Sequence, residues 1–416
     1  MKLFRAILLV LSLFYIILCI ILGMDSNLKP YSYLVMLACN LYMVICSRKN
    51  FLFLFPAFVI FYCNYSVAYV NFINYVDMPD TYIITPKVSI VSLNILAVFS
   101  CMLFLIVKWH KIPSQPSFNI FQHGEVNLRS KHVLFFLSLL LLLIWVFGYT
   151  APIDEGSRGS ASPLYEYALL LFIMYYYYCG NRKRYLYWGA FLTFIFSMKL
   201  FLYGGRIEGI QFWLCFYFMV LLTKIRRTKV YLGAIMMFVL MSLIGSVRGE
   251  ILAGNFEVKS ILLGIVNRGM ALDTAHSAYY GSEAIIYMSD VLSDQVRFDN
   301  FLIFIKTLLL GSGDNSTNLS VMSSNYISHN GGGILPFYFY FYLGFVGVFF
   351  SSVLLSLYLN RFLFVSDKTG GLTKCLLILI VCTSFRWYLY SPLMLLRGAF
   401  FFSVIYCLLS FYVKKL

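Results

Sequence analysis

Charged side chains are scarce in this sequence, because Asp, Glu, Lys and Arg make up only 12% of its 416 residues, whereas hydrophobic residues make up 61%. Soluble globular domains carry about a quarter charged residues, so most side chains of this chain do not face water. Apolar runs of about 17 to 25 residues recur along the chain, and each can cross a bilayer as a helix. The sequence therefore predicts an all-α, polytopic integral membrane protein.

Motifs of soluble catalysis are also missing. The chain has only 5 histidines, and His276 and His329 have no partners at metal-ligand spacing, so no metal site is predicted. No P-loop, dinucleotide fingerprint or Ser-His-Asp order is present, so no cofactor is predicted either. None of the 10 cysteines lies in the long segment 247–333, so we predict no disulfide framework there.

Twelve apolar runs have the length of a transmembrane helix. Nine of them precede residue 247 and three follow residue 333, so the long connection 247–333 separates segment 1–246 from segment 334–416 in one integrated membrane domain. The predicted spans are 4–22, 31–46, 51–70, 88–107, 133–150, 163–179, 185–203, 209–223, 230–246, 334–359, 375–391 and 393–412.

The basic connections set the expected orientation, because loops rich in Lys and Arg stay in the cytoplasm. Such clusters are SRKN at 47–50, NRKR at 181–184, KIRRTK at 224–229 and the terminal KKL. Both termini are therefore predicted in the cytoplasm, and 247–333 on the outer side of the membrane. This topology accounts for the excess of 32 Lys and Arg over 17 Asp and Glu, so the basic charge does not indicate nucleic-acid binding.

The long connection 247–333 is too apolar to be disordered, so we expect it to fold. The stretch 298–311 is too short to span a bilayer and carries Lys306, which indicates an interfacial or re-entrant helix. Apolar residues at helical spacing in 282–294 indicate a second helix. Together they predict a long helical periplasmic loop that caps the outer face.

Four clusters on the predicted outer side each join an arginine to glycine near a helix end: EGSRGS, GGRIEG, GSVRGE and VNRGM. Glycine lets backbone approach a ligand, and guanidinium offers a fork of donors to phosphate or carboxylate oxygens. The alternative is an ordinary helix end, with Glu208 and Glu250 paired to neighbouring arginines. Because the outer side should be poor in arginine, we predict an anion site that uses Arg158, Arg206, Arg248 and Arg268.

Three further cations lie inside predicted spans, near their outer ends: Lys199, Arg386 and Arg397. Charges at such depth are costly and usually have a function or a partner. Snorkelling to the interface is the alternative, above all for Lys199. Since Glu166 is nearly the only acid within the spans, we predict that Arg386 and Arg397 contact an external anion such as a lipid-linked phosphate.

Candidates for a general base are few. Glu208, Glu250 and His329 lie on the predicted outer side, as do Asp273 and His276, and one well-placed carboxylate or imidazole is sufficient for base catalysis. Ion pairing or surface exposure is the alternative for each of them. We keep Glu208, Glu250 and His329 as the candidate catalytic residues.

The order of these features resembles the Wzy-type O-antigen or oligosaccharide repeat-unit polymerases. The resemblance lies in about twelve spans, GGR after one helix, a Gly-Arg motif opening a long outer loop, and SHNGGGILPFYFYFYLGFVGVFF at 328–350. The R-x10-G pattern of some members is absent, because Tyr217 and Lys259 stand where its glycines would follow Arg206 and Arg248.

The resemblance implies a glycosyltransferase that joins oligosaccharide units carried on undecaprenyl diphosphate at the outer face of the inner membrane. It also implies lipopolysaccharide biosynthesis, with a chain-length regulator and a flippase as possible partners and roles for Arg206 and Arg248. Two alternatives stay open. A flippase for the same units has no need of so long an outer loop, whereas an O-antigen ligase or a membrane acyltransferase shares one.

Overall fold

The computed structural model of the chain is almost entirely helical in the part that it describes. Seven of the described helices are long and apolar enough to cross a membrane, which supports a membrane protein on a second ground. The structure describes residues 2–73, 85–113, 128–150, 160–180, 182–203, 205–222, 224–225, 228–233, 236, 259, 273–310, 318–329, 331–365 and 368–414.

The described helices are numbered here in chain order. They are α1 Lys2–Leu22, α2 Lys29–Ser47, α3 Phe51–Ile73, α4 Pro86–Ile106, α5 Leu128–Phe147, α6 Pro163–Glu166, α7 Ala168–Cys179, α8 Lys183–Tyr203, α9 Arg206–Phe216, α10 Asp273–Val291, α11 Asp294–Leu310, α12 Leu319–Ser324, α13 Leu335–Phe362, α14 Gly371–Cys382, α15 Ser384–Leu389 and α16 Leu393–Lys414. A 3-10 turn occupies Trp109–Lys111 and a π-helical turn Tyr217–Leu221. Strand β1 (Tyr149–Thr150) pairs antiparallel with β2 (Ser160–Ala161).

The chain forms two compact units, and the first contains residues 1–116, 274–364 and 384–397. In this unit α4 packs against α1, α2 and α13, and α3 packs against α2 and α15. A buried polar network joins three of these helices: Asn94 accepts from the Tyr15 hydroxyl at 2.9 Å and from Ser32 at 2.8 Å. Its amide nitrogen donates to the carbonyl oxygens of Met24 and Ser26. The network therefore fixes the connection between α1 and α2.

Helix α13 is not straight, although the sequence predicts one span over 334–359. Gly344 has φ 59° and ψ −143° inside it, a conformation that is essentially restricted to glycine. The ring centroids of Phe339 and Phe350 are 5.6 Å apart, whereas eleven residues of straight helix would separate them by about 16 Å. The chain therefore folds back at Gly344, and α13 consists of two helical segments.

Arg297 satisfies the backbone at this break. Its Nε donates to the carbonyl oxygen of Phe341 at 2.5 Å and its Nη2 to that of Tyr340 at 3.0 Å. In an unbroken helix these carbonyls would accept from the N–H groups of residues 344 and 345. The guanidinium also pairs with Asp294 at 3.0 Å. Arg297 thus takes the place of two lost helical donors.

The long connection 247–333 is helical where the structure describes it, which is over α10, α11 and α12. Helix α10 is an interior element, since nearly every side chain from Ala275 to Ser289 is buried or half-buried. Helix α11 covers most of the predicted interfacial stretch and exposes Phe298, Leu302 and Leu309. The predicted location of this connection outside the cytoplasm stays a prediction.

The second unit contains residues 117–273, 365–383 and 398–416. At its centre lies α7, which packs against α5, α8, α9 and α14. Four consecutive tyrosines at 175–178 point to all sides of this helix, because successive residues are about 100° apart. Their hydroxyls pair with the Tyr185 carbonyl, Thr193, Tyr406 and Ser410 respectively. A helix that is apolar all round is a buried helix, and α7 is one.

Several predicted spans are shorter or divided in the structure. The span 163–179 is divided into α6 and α7, and 375–391 into α14 and α15. At the second division the Thr383 hydroxyl donates to the Leu379 carbonyl at 2.7 Å, a bond that competes with the helix ladder. The span 230–246 lies almost wholly outside the described residues. Twelve spans therefore remain a prediction.

Candidate functional site

The glycine-rich loop SHNGGG, residues 328–333, lies inside the first unit and connects α12 to α13. Gly331 and Gly332 have φ 88° and 92°, which disfavours any residue with a side chain. A Cβ on Gly332 would lie 2.9 Å from the Leu389 carbonyl, and one on Gly281 only 2.5 Å from the Gly332 carbonyl. The glycines are therefore required for close packing between α10 and the end of α15.

Four consecutive backbone N–H groups of this loop have acceptors within the protein. One acceptor is His329 of the loop itself and the other three lie on α12, α15 and α10, so these four N–H groups are not free for a ligand. The bonds are Gly331 N to His329 Nδ1 at 3.0 Å, Gly332 N to Ser320 Oγ at 2.8 Å, Gly333 N to the Leu389 oxygen at 2.8 Å, and Ile334 N to Ser282 Oγ at 2.8 Å.

His329 has both ring nitrogens engaged. Because Nδ1 accepts from the Gly331 N–H, the neutral ring carries its proton on Nε2, which lies 2.9 Å from Ser323 Oγ. Burial lowers the pKa of His329 below its ordinary value, so the ring is neutral near pH 7. A neutral imidazole is the form that a general base requires, although in this arrangement the Nδ1 lone pair faces the Gly331 N–H.

The loop that carries His329 contacts the segment that carries Arg386. This contact is the bond from Gly333 N to the carbonyl of Leu389, the last residue of α15. Arg386 is half-buried on the same short helix, and its own carbonyl accepts from the N–H groups of Tyr390 and Ser391. The structure therefore brings a candidate base and a candidate anion-binding segment together in the first unit.

Buried aromatic side chains hold the segment that carries Arg386 in place. Trp387 and Tyr388 beside Arg386 are fully buried, and the Tyr388 hydroxyl donates to Asn64 of α3 at 3.2 Å. The Tyr338 hydroxyl donates to the Tyr390 carbonyl at 2.5 Å. Arg397, one and a half turns along α16, is half-buried and its Nε is shielded from solvent. Both arginines therefore stand on well-packed backbone.

The GGRIEG cluster lies in the second unit and forms a helix start. Gly205 is the residue before α9 and Arg206 its first residue, so Glu208 stands in the first turn, where the helix dipole favours a carboxylate. Ser197 donates to the Gly209 carbonyl at 3.1 Å. A Cβ on Gly209 would lie 2.3 Å from the Phe201 ring. The backbone of this cluster thus has a structural role, which leaves the predicted role of the Arg206 side chain untested.

Other predicted site residues lie outside the described part of the chain. These are Arg158, Arg248, Arg268 and Glu250, together with the side chains of Arg206 and Asp273. Their assignment to an anion site or to base catalysis stays a prediction.

Lys199 is held by groups of the second unit. Its ammonium donates to the Trp145 carbonyl at 2.6 Å, and it lies 5.3, 5.6 and 6.0 Å from the ring centroids of Trp145, Tyr149 and Tyr165. Aromatic faces attract cations at these distances. This arrangement explains a lysine in an apolar helix without an external anion.

Glu283 is a buried acid that the sequence reading left out. It lies on α10 with only 3% of its surface exposed, and Tyr279, Ser89 and the more distant Lys29 and Tyr33 face it. Burial raises the pKa of Glu283 to about 8. The signal was present in SEAIIYMSDV, where one glutamate interrupts apolar residues at helical spacing and therefore falls on the buried face.

His276, two turns earlier on α10, is buried as well. Its ring packs edge-on against Tyr280 at 4.4 Å, and neither ring nitrogen has a hydrogen-bond partner in the described structure. Burial lowers its pKa to about 4. His276 is therefore an uncharged interior residue near neutral pH.

Within the residues that the structure describes, no three His, Cys, Asp or Glu side chains are grouped closely enough to hold a metal ion. No protein-family model, curated protein or solved structure matches the chain.

Proposed function

We propose that the protein polymerises lipid-linked oligosaccharide repeat units at the outer face of the bacterial inner membrane. The carrier is undecaprenyl diphosphate. The C1–O bond from the donor sugar to the diphosphate breaks, a bond from C1 to an acceptor hydroxyl forms, and a base takes the hydroxyl proton. The product is a longer chain on the acceptor lipid, together with free undecaprenyl diphosphate.

The observation that supports this proposal most is the contact between the His329 loop and the Arg386 segment. Glycosyl transfer from a diphosphate needs a proton acceptor for the incoming hydroxyl and positive charge for the leaving group. The bond between Gly333 N and the Leu389 oxygen holds the backbone of both candidates in one frame of apolar helices. The membrane-like composition of that frame suits a lipid-linked substrate.

The candidate residues are assigned to these two needs, a proton acceptor and positive charge at the leaving group. His329 is the proposed base, which acts through Nδ1 when the Gly331 N–H releases that lone pair. Arg386 and Arg397 are the proposed contacts of the leaving diphosphate. Arg206 and Glu208 of the second unit, and Arg158, Arg248, Arg268 and Glu250, are kept as further proposed contacts and bases on the sequence grounds given above.

A reconstituted reaction tests the proposal directly. Purified protein in proteoliposomes receives a lipid-linked repeat unit, and products are resolved by gel and mass spectrometry. A ladder of polymers on the lipid carrier is expected. Transport of intact units across the bilayer without chain growth would identify a flippase, and transfer to a lipid A acceptor would identify a ligase.

Two substitutions connect the activity to the site. Arg386→Lys keeps the charge but loses the bidentate fork, so we expect a loss of about 30-fold to 1000-fold in rate. His329→Asn keeps an acceptor for the Gly331 N–H but loses the basic nitrogen, and a loss of about 100-fold to 10,000-fold is expected. Arg129→Lys is the matched control, because the contacts that the structure describes for Arg129 are with Tyr412, to its carbonyl and over its ring at 5.8 Å from the centroid, and Arg129 is not a proposed site residue.

The thermal unfolding midpoint separates chemistry from folding in these variants. An inactive Arg386→Lys or His329→Asn protein with the wild-type midpoint supports the proposed roles. Full activity in both variants would remove them from the site.

A further inference from the structure

An apolar crevice opens on the surface of the first unit where α1 ends and where α13 resumes after its break. Its volume is about 470 Å³, within the range of small-molecule sites. It lies between the C-terminal turn of α1 and the first turn after Gly344. The lining residues are Cys19, Ile20, Gly23, Met24, Phe345, Val346 and Phe349.

The fold leaves this crevice uncovered on one side. Val346 and Ile20 are 68% and 59% exposed, so both walls present apolar side chains that no described part of the chain covers. The break at Gly344 turns Phe345 and Val346 toward α1, and the Asn94 network fixes the connection that begins at Gly23. The crevice is thus a fixed feature of the backbone.

The side chains that line the crevice favour an apolar ligand. The lining side chains offer no charge and no strong hydrogen-bonding group, so a polar ligand would lose its hydration without compensation. A flexible hydrocarbon chain has no polar group to desolvate, and it can fill the crevice with dispersion contacts. The crevice therefore suits an acyl chain of a lipid.

The negative charge of Asp25 beside the crevice favours one class of lipid headgroup. Asp25 is exposed, and its Oδ1 lies 2.8 Å from the Cβ position of the lining residue Gly23. Two cations of the first unit are paired with other acids: Lys87 lies 3.5 Å from Asp290, and Arg297 contacts Asp294. Asp25 belongs to neither pair. Asp25 therefore places a negative charge beside a lining residue of the crevice, which attracts an ammonium and repels a purely anionic headgroup.

We infer that the crevice binds one phospholipid whose headgroup carries an ammonium, with an acyl chain between α1 and α13 and the ammonium at Asp25. Phosphatidylethanolamine is the lipid of this class used as the probe. This inference does not depend on the proposed glycosyl transfer. It assigns a structural lipid site, and a diphosphate carrier does not fit beside the carboxylate.

Native mass spectrometry of the purified full-length protein tests the site. The protein is delipidated in detergent and then titrated with phosphatidylethanolamine or phosphatidylglycerol of identical acyl chains, or with an isoprenyl phosphate. We expect one tightly held phosphatidylethanolamine, retained at least about 5-fold better than phosphatidylglycerol. That ratio is of the size that one charge pair near a protein surface gives.

Three variants and a control localise the binding. Val346→Trp and Ile20→Trp fill the crevice from opposite walls, and both should abolish the retained lipid. Asp25→Asn should leave binding but make the two phospholipids equal. Ile17→Trp is the control, since Ile17 lies on the same helix, is 51% exposed and does not line the crevice, so it should bind as the wild type does.

Contrary outcomes are equally defined. Equal retention of both phospholipids by the wild type, or a retained lipid in both tryptophan variants, would overturn the assignment. Preference for the isoprenyl phosphate would assign the crevice to a lipid-linked substrate instead, and would also overturn it. Asp25→Asn changes an exposed side chain, so its result does not depend on the folding of the other variants.

Discussion

Arg297 in the first unit and Lys199 in the second are cations in largely apolar surroundings, and they are accommodated differently. Arg297 donates to two carbonyls that the break at Gly344 leaves without helical donors, and it pairs with Asp294. Lys199 donates to a single carbonyl and otherwise faces three aromatic rings. Arg297 also lies 5.9 Å from the centroid of the Phe341 ring, so the two cations differ in their carbonyl and acid partners rather than in having an aromatic neighbour.

The difference teaches that a cation in an apolar frame is not by itself a ligand site. Both side chains complete the fold, and one of them, Lys199, lies near the outer end of a predicted span, as Arg386 and Arg397 do. Arginines such as Arg206 and Arg386 therefore need a test that separates binding from structure. The same comparison yields stability predictions for the residues whose contacts are known.

Arg297→Ala should have the largest effect, because it leaves two carbonyls at the helix break without donors. We expect a loss of about 4 kcal/mol in the free energy of unfolding, since an unpaired buried polar group costs about 1 to 3 kcal/mol. Arg297→Lys should recover part of this loss, because an ammonium reaches one carbonyl more easily than two. Thermal unfolding in detergent measures both.

Arg129→Ala is the control for Arg297→Ala. Arg129 donates to the Tyr412 carbonyl at the surface, so its loss should cost less than about 1 kcal/mol. If Arg297→Ala were no more destabilised than this control, the break at Gly344 would not depend on the guanidinium.

Gly344→Ala should have the next largest effect. No atom lies within 4 Å of an added Cβ there, so the cost is conformational alone, and it should be about 2 to 3 kcal/mol at this φ and ψ. Gly398→Ala is a matched control, because that glycine also has open space but lies in helix α16 at ordinary φ. There alanine should stabilise the protein by about 0.5 to 1 kcal/mol. Equal effects at both glycines would contradict a strained break.

How far the sequence predicts this structure depends on how local the responsible interaction is. Helical character and most spans follow from apolar runs, and α1 to α4 begin and end within a few residues of their predicted limits. The break in α13 was not predicted. Glycine is common in membrane helices, and the feature that marks Gly344 is a donor from Arg297, forty-seven residues earlier.

The candidate site was predictable in its residue types but not in its contacts. The sequence marks His329 and Arg386 separately, while the contact between the segments that carry them is the bond between Gly333 and Leu389. The reading of GGRIEG as a ligand cluster overlooked the tight packing of Gly209 on Phe201. Long-range contacts of this kind leave no periodic signal in one sequence.

Glu283 extends the comparison to a buried acid. Burial raises its pKa to about 8, so the folded protein holds a proton that the unfolded chain has released above about pH 4.5. Stability from this group is present at low pH and falls as pH rises through the folded pKa. Between pH 6.5 and 8 the wild type should lose about 2 kcal/mol, at about 1.4 kcal/mol per pH unit. Glu283→Gln should lose none of this.

The pH window is chosen because His276 acts in the opposite sense below it. Burial lowers the pKa of His276 to about 4, so its contribution to stability is lost as pH falls from about 6.5. Unfolding midpoints of the wild type and Glu283→Gln at pH 6.5 and 8 measure the difference. Parallel changes in the two proteins would show that Glu283 does not keep its proton in the fold.

Lys199→Met should have the smallest effect of the four. Methionine keeps the length and the apolar contact with the rings, but it loses the bond to the Trp145 carbonyl and the attraction to the aromatic faces. We expect a loss of about 1 kcal/mol in the free energy of unfolding. Lys199→Arg should restore most of it, because a guanidinium stacks on aromatic faces and keeps its charge.

This last comparison decides whether Lys199 belongs with Arg297 or with the proposed substrate contacts. If its role is structural, Lys199→Met lowers the unfolding midpoint and leaves the polymer ladder in proteoliposomes intact, as Lys199→Arg does. If instead Lys199→Met keeps the wild-type midpoint and loses the ladder, the ammonium serves an external anion. The three aromatic rings would then hold the lysine while no substrate is bound. A cation held mainly by ring faces and one carbonyl exchanges these partners for a phosphate more easily than a cation paired with a carboxylate does.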